Sequence, residues 1–115
     1  MSVTIYHNPR CSKSRETLKL IEARGLKPKV IEYLQTPPSA TELKAILKKL
    51  GVKPQDIVRK SEPLYAELGI KGRALDDDAL IALMVANPIL IERPIVLSGG
   101  RAAIGRPPEN VLKIL

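Results

Sequence analysis

Cys11 is the only thiol in the chain and His7 the only imidazole. Both lie in Tyr6-His7-Asn8-Pro9-Arg10-Cys11-Ser12-Lys13-Ser14-Arg15, where Arg10, Lys13 and Arg15 surround the sulfur with positive charge. A thiol reacts as its thiolate, and a helix start stabilises that form through unpaired backbone N–H groups and the positive end of the helix dipole. The polar neighbours Asn8, Arg10, Ser12, Lys13 and Ser14 argue against a buried, purely structural cysteine. Cys11 and Ser14 form a C-x-x-S arrangement, so an adduct on Cys11 has no second thiol to resolve it and requires an external one. Ser14 suits either of two roles, a first-turn helix residue bonded to backbone or a donor to the thiolate. His7 reads as a hydrogen-bonded histidine at a strand end or as a supporting group for the thiol. One cysteine and one histidine exclude a disulfide framework and a tetrahedral Cys/His zinc site built from this chain alone.

These residues need elements to hold them. Val3-Thr4-Ile5-Tyr6 is a β-prone run closed by His7-Asn8-Pro9. A helical pattern starts at Ser12, with Leu18, Leu20 and Ile21 as apolar contacts and Gly25 as its C′ glycine. Val30 to Leu34 reads as a second strand, completing a β-α-β unit that pairs parallel strands through a right-handed crossover. Ser39-Ala40-Thr41-Glu42 is a capping box, followed by Leu43, Ile46, Leu47 and Leu50 at helical spacing and then by Gly51. Short turns begin at Pro54 and Pro63. A further helix starts at Asp76-Asp77-Asp78, where negative charge suits a helix N-terminus, and stops at Asn87-Pro88. Pro94 to Leu97 and Ala102 to Ile104 flank Ser98-Gly99-Gly100-Arg101, a hairpin pattern. Pro107-Pro108 opens a last helix with Val111, Leu112 and Leu115 inward. The expected class is α/β: a single domain over 1–115 with a mixed four-stranded sheet and a helical insertion at about 39–86.

With 115 residues, 44% hydrophobic and 27% charged, the chain is of globular composition. Aromatic residues are 3%, so the core must be aliphatic. The net charge is +7, and residues 1–30 hold seven Lys and Arg against Glu16 and Glu22. Such a balance favours an anionic substrate or partner. The scarcity of aromatic stacking platforms argues against nucleic acid. The longest apolar stretch, Ala79 to Ala86, is far short of the roughly 20 residues that span a bilayer, so no membrane role is expected. A free thiol with no export signal reads as cytoplasmic.

The segment from Tyr6 to Arg15 closely resembles the active-site loop of the glutaredoxin-dependent arsenate reductase family. The likeness continues in order through Tyr33-Leu34 with Thr36-Pro37-Pro38-Ser39, Val58-Arg59-Lys60, Asn87 to Val96, and Gly105-Arg106-Pro107-Pro108. That resemblance implies a thioredoxin-like fold with a helical insertion, and it implies residue roles. Cys11 matches the nucleophile that attacks arsenate. Arg59, Arg93 and Arg106 match three arginines that hold the oxyanion, and His7 matches a supporting histidine. Pro94 matches a proline kept cis beside the active cysteine. Glutathione is implied as co-substrate and glutaredoxin as partner, with no bound cofactor and no metal. Chemically, the planar guanidinium fork suits a tetrahedral oxyanion and the same cations favour the thiolate.

Two other functions fit the same fold. Transcriptional regulators of the Spx type are similar in architecture, but those that sense redox state carry C-x-x-C where this chain has Ser14. A thiol oxidoreductase acting on glutathione mixed disulfides would need only Cys11. The arsenate reading predicts that Arg59, Arg93 and Arg106 converge on Cys11.

Overall fold

The structure, a computed structural model, describes residues 2–115. The chain divides into two compact units, one built from residues up to Thr36 together with Arg93–Leu115, the other from Pro37–Glu92.

The first unit carries strands β1 (Val3–His7), β2 (Lys29–Glu32), β3 (Ile95–Ser98) and β4 (Arg101–Ile104), with helix α1 (Ser12–Ala23) and a terminal 3₁₀ helix, Pro108–Ile114. The sheet order is β2-β1-β3-β4. β1 pairs parallel with β2, whereas β3 is antiparallel to both β1 and β4. This is the expected mixed four-stranded sheet of thioredoxin-like order. Ile5 sits opposite Val30 on one side and Val96 on the other. Val3, Ile5 and Val96 form an aliphatic core with Ile21, Val111 and Ile114. Strand alternation explains it: Val3 and Ile5 point to the same face, against α1 and the terminal helix.

Four local expectations shift. The buried positions of α1 are Ser14, Thr17 and Ile21; Leu18 packs at the core margin, and Leu20 is half-buried outside that cluster. The polar residues can be buried because their hydroxyls are bonded, Thr17 Oγ1 donating to the Lys13 carbonyl at 2.7 Å. β2 ends at Glu32, not Leu34, because the Gln35 and Thr36 amides both fold back onto the Glu32 carbonyl at 2.9 Å. The third strand starts at Ile95 and runs to Ser98, which pairs with Arg101 across Gly99-Gly100; Gly99 has φ +60°, which this tight turn demands. The last helix is 3₁₀, so Pro108, Val111 and Ile114 face inward at every third residue, while Leu112 and Leu115 are only half-buried.

The second unit holds α2 (Ala40–Leu50), α3 (Pro54–Ile57), α4 (Pro63–Glu67) and α5 (Asp77–Ala86). The capping box forms as expected: Glu42 N–H donates to Ser39 Oγ at 3.1 Å and Ser39 N–H to Glu42 Oε1 at 3.0 Å. Gly51, at φ +71°, ends α2. Asp76 caps α5 by accepting from the Ala79 amide at 2.8 Å. α5 packs on α2 and α3, burying Leu43, Ile46, Leu47, Leu80, Ile81 and Met84. The unit reaches Glu92 rather than stopping near Ala86 because the following chain returns to it. Val58 bridges Ile91, Arg59 N–H donates to the Leu90 carbonyl, and Glu92 N–H donates to the Ile57 carbonyl.

Candidate functional site

Cys11 occupies the N-cap of α1, with extended backbone (φ −94°, ψ 123°) and no side-chain cap bond. Its carbonyl accepts the first helical bond from Arg15 N–H at 3.0 Å. The preceding loop is built by Asn8, which is buried. Its carbonyl accepts from Cys11 N–H and its side-chain oxygen from Arg10 N–H, each at 3.0 Å. The latter bond is an Asx turn, for which Asn followed by Pro is well suited. Arg15 reaches back to the Pro9 carbonyl at 2.9 Å, fixing the loop from the helix side. Cys11 itself is partly exposed, although Asn8 and Ser14 beside it are buried, so polarity alone was a poor guide to their exposure.

Ser14, fully buried, joins the strand end to the helix. Its hydroxyl oxygen accepts from Asn8 N–H at 3.0 Å and lies 2.6 Å from His7 Nδ1. The backbone N–H of Ser14, not its hydroxyl, is the Ser14 group that favours the Cys11 thiolate. Burial, the largest influence on His7, holds its pKa below the ordinary value; Glu32 opposes this and Arg15 adds to it. Burial thus favours the neutral imidazole.

Two arginines reach the sulfur from the same end of the sheet, because Tyr6 at the end of β1 pairs with Ile95 and Ile95 pairs with Ile104. Arg106 follows β4 and places Nη2 3.4 Å from Cys11 Sγ, while its Nε donates to the Arg93 carbonyl at 2.7 Å. The guanidinium fork is thus anchored at one edge and directed at the thiol with another. Arg93, directly before β3, hydrogen-bonds the same sulfur through its side chain. Burial is the largest influence on Cys11 and pushes its pKa up. The Ser14 amide, the Arg93 hydrogen bond and the charges of Arg106 and Arg93 together outweigh it, leaving the thiol below its ordinary value. The peptide bonds Arg93–Pro94 and Arg106–Pro107 are both cis. Gly105 N–H donates to the Pro94 carbonyl at 2.9 Å. A Cβ at Gly105 would collide with Thr17 Oγ1 and come within 2.7 Å of Pro94 Cγ, so glycine is what lets this backbone approach α1.

A partly exposed thiolate at a helix start, with two guanidinium groups on its sulfur, is arranged for nucleophilic attack on an oxyanion. Comparison with known proteins agrees with this arrangement: the family model described as the ArsC family matches residues 6–114. The chain belongs to the ArsC family. It is 49% identical over 114 residues to an arsenate reductase of Neisseria meningitidis, covering 98% of this chain and 97% of that one. It is 53% identical over 114 residues to the Escherichia coli protein YfgD, covering 98% and 96%. The solved structure of an arsenate reductase from Vibrio cholerae superimposes with a TM-score of 0.96 at 55% identity, covering 100% of this chain and 98% of that one.

Of the residues singled out in this ArsC-family sequence, the first unit brings Arg93, Arg106 and Ser14 to Cys11, with His7 linked through Ser14 and Pro94 through Gly105. Arg59 belongs to the second unit. There its Nη1 lies 2.7 Å from Glu92 Oε1 and its Nε 3.2 Å from Glu62 Oε1, and the side chain is 16% exposed. Glu62 and Glu92 were not anticipated as its partners; Glu62 stands at i+3 from Arg59, a spacing that could have suggested the pair. Asn8, Thr17 and Gly105 were missed as well, and only the Asn8-Pro9 dipeptide carried a local sign of its role. Among the described residues, no group of three or more His, Cys, Asp or Glu is placed to hold a metal, and no helix is long and apolar enough to cross a membrane.

Proposed function

We propose that this chain reduces arsenate to arsenite, with Cys11 as nucleophile, glutathione as co-substrate and glutaredoxin as partner. The observation that carries the reading is the pair of guanidinium groups, Arg93 and Arg106, on one partly exposed thiol held below its ordinary pKa. Arsenate reductases among its ArsC relatives support it.

The Cys11 thiolate attacks arsenic and an arsenate oxygen leaves as water after protonation, forming a sulfur–arsenic bond. Arg93 and Arg106 counter the negative charge on the remaining oxygens. Arsenic(V) becomes arsenic(III) by taking two electrons, and two thiols joining in one disulfide supply two electrons. This chain provides one of those thiols. Glutathione provides the second, and glutaredoxin returns the Cys11–glutathione disulfide to the free thiol. Arg59 serves as the third oxyanion arginine, exchanging Glu62 and Glu92 for the substrate. His7, Ser14 and Pro94 keep the loop and its facing strand in place. The whole chain, 1–115, acts as one catalytic domain in the cytoplasm, with no bound cofactor and no role on nucleic acid or membranes.

Arsenate reduction coupled to glutathione and glutaredoxin tests the reading, with a glutathione mixed disulfide as the competing substrate. Wild type should turn over arsenate and Cys11→Ser should not. Arg106→Ala should lower oxyanion handling roughly 10- to 150-fold, the worth of one charge-assisted contact, and Arg106→Lys should recover only part of it. Turnover of the mixed disulfide with none of arsenate would overturn the arsenate assignment and leave a thiol oxidoreductase.

A further inference from the structure

The second unit contains a hollow of about 210 Å³ whose lining includes none of the residues assigned a role above, although Val58 and Lys60 flank Arg59 in the chain. Its floor is apolar, made by the buried side chains of Val58, Ile70 and Leu80, with Tyr65 at one edge. Lys60, Lys71 and Arg73 line it as well, all exposed. Lys71 and Arg73 flank Gly72 in a short 3₁₀ turn that Ile70 pins to the core, so both cations are presented from one anchored segment.

This positive charge is not balanced from within the unit. None of the three cations forms an ion pair among the described residues, and no carboxylate lines the hollow. Of the unit's acids, Glu67 forms no ion pair with these cations, and the others have partners of their own, Glu42 at the Ser39 amide among them. Glu62 and Glu92 serve Arg59, and Asp78 serves Lys44. Asp56, Asp76 and Asp77 bond the Lys53 amide, the Ala79 amide and Gln55.

Size and lining select among occupants. Pockets for drug-sized ligands and cofactors occupy about 300–1,000 Å³, so this one is too small for such a molecule and large enough for an apolar side chain. A bare inorganic anion would leave the apolar floor unused. A nucleic acid would find only one aromatic ring on which to stack. We infer that the hollow ringed by Lys60, Lys71 and Arg73 is a docking site for an acidic peptide segment of a protein partner, which inserts one apolar side chain onto Val58, Ile70 and Leu80. The inference does not depend on the substrate assigned to Cys11.

The test is a backbone-amide NMR titration of the full chain with acetyl-Glu-Asp-Leu-Glu-Asp-amide. Shifts should concentrate on Val58, Lys60, Tyr65 and Ile70 to Leu75, and binding should weaken as salt is raised. Lys71→Glu with Arg73→Glu should reduce affinity roughly tenfold or more, since two attractive pairs become repulsive. Lys19→Glu with Lys27→Glu makes the same change in net charge at exposed residues that do not line the hollow and should leave affinity within about twofold. A peptide with Gly in place of Leu should bind more weakly. Shifts spread over all basic surfaces, equal losses in the two double variants, equal binding of the Gly peptide, or preference for a single-stranded oligonucleotide at the same residues would each overturn the proposal. Retained amide dispersion in both double variants excludes unfolding as the cause of lost binding.

Discussion

Replacing Ser14 with alanine removes one oxygen and strands two polar groups. Ser14 is fully buried, and its Oγ serves Asn8 N–H at 3.0 Å and His7 Nδ1 at 2.6 Å. Asn8 and His7 are only 5% and 6% exposed, so neither recovers a water partner easily. The space vacated by a hydroxyl oxygen is smaller than the roughly 30 Å³ share of a water molecule, so a water does not replace it without rearrangement. Each buried group left without a partner costs about 1–3 kcal/mol, and partial relaxation of the loop places the expected loss at about 2–4 kcal/mol. For a chain of this size that corresponds to a Tm lower by roughly 8–20 °C. Equilibrium urea unfolding, with the slope unchanged, measures the loss directly. A second readout separates fold from chemistry. The sulfur is stabilised by the Ser14 backbone amide, Arg93 and Arg106, none of which the substitution deletes. The inflection in Cys11 alkylation against pH should therefore stay near that of wild type in Ser14→Ala and rise in Arg93→Ala. A stability loss below about 0.5 kcal/mol, the range of ordinary surface changes, would refute the burial argument. An inflection that climbs as far as in Arg93→Ala would refute the assignment of the amide, rather than the hydroxyl, as the group on sulfur.

Gly105→Ala forces a methyl group against Thr17 Oγ1 and Pro94 Cγ and should cost about 1–3 kcal/mol of overpacking, read by the same urea titration. Adding Thr17→Ala removes one of the two obstructions, so the double variant should lose less than the sum of the singles; simple additivity would contradict the contact. The Cys11 thiol provides a pH signature. Its folded pKa lies below the ordinary value, so between the two pKa values the unfolded chain binds the extra proton and stability rises with pH. Wild type should thus gain stability over Cys11→Ser up to about pH 8.5, the ordinary thiol value, and lose that gain as pH falls through the folded pKa. A difference that is flat or falls with rising pH would reverse the sign and exclude a thiolate stabilised by the fold.

Local grammar was legible in the amino-acid sequence because its causes are local. The capping box at Ser39 and Glu42, the glycine stops at Gly25 and Gly51, and the helix start after Cys11 each depend on residues a few positions apart. The order of elements, and with it the mixed sheet and its insertion, followed from alternation and helical spacing. Boundaries were less legible where a backbone bond competes with propensity, as at Glu32, whose carbonyl draws two amides into a turn and ends the strand ahead of Tyr33.

The site divides the same way. Cys11 was visible because a lone thiol among cations at a strand-to-helix junction is a chemical statement in one stretch of chain. Arg93 and Arg106 were candidates only through family resemblance, since their positions 82 and 95 residues further on carry no local mark. Folding of the first unit brings Arg106 to the sulfur, because β3 and β4 are adjacent in the sheet and Gly105 leaves room for the backbone against α1. The sequence could not reveal that the Ser14 hydroxyl turns to Asn8 and His7 while its amide turns to sulfur. Nor could it reveal that Arg59 spends both edges of its fork on Glu62 and Glu92. Chemical type is a property of the residue and is written in the chain; which partner a buried donor or a guanidinium finds depends on contacts between distant segments, and only the tertiary structure decides those.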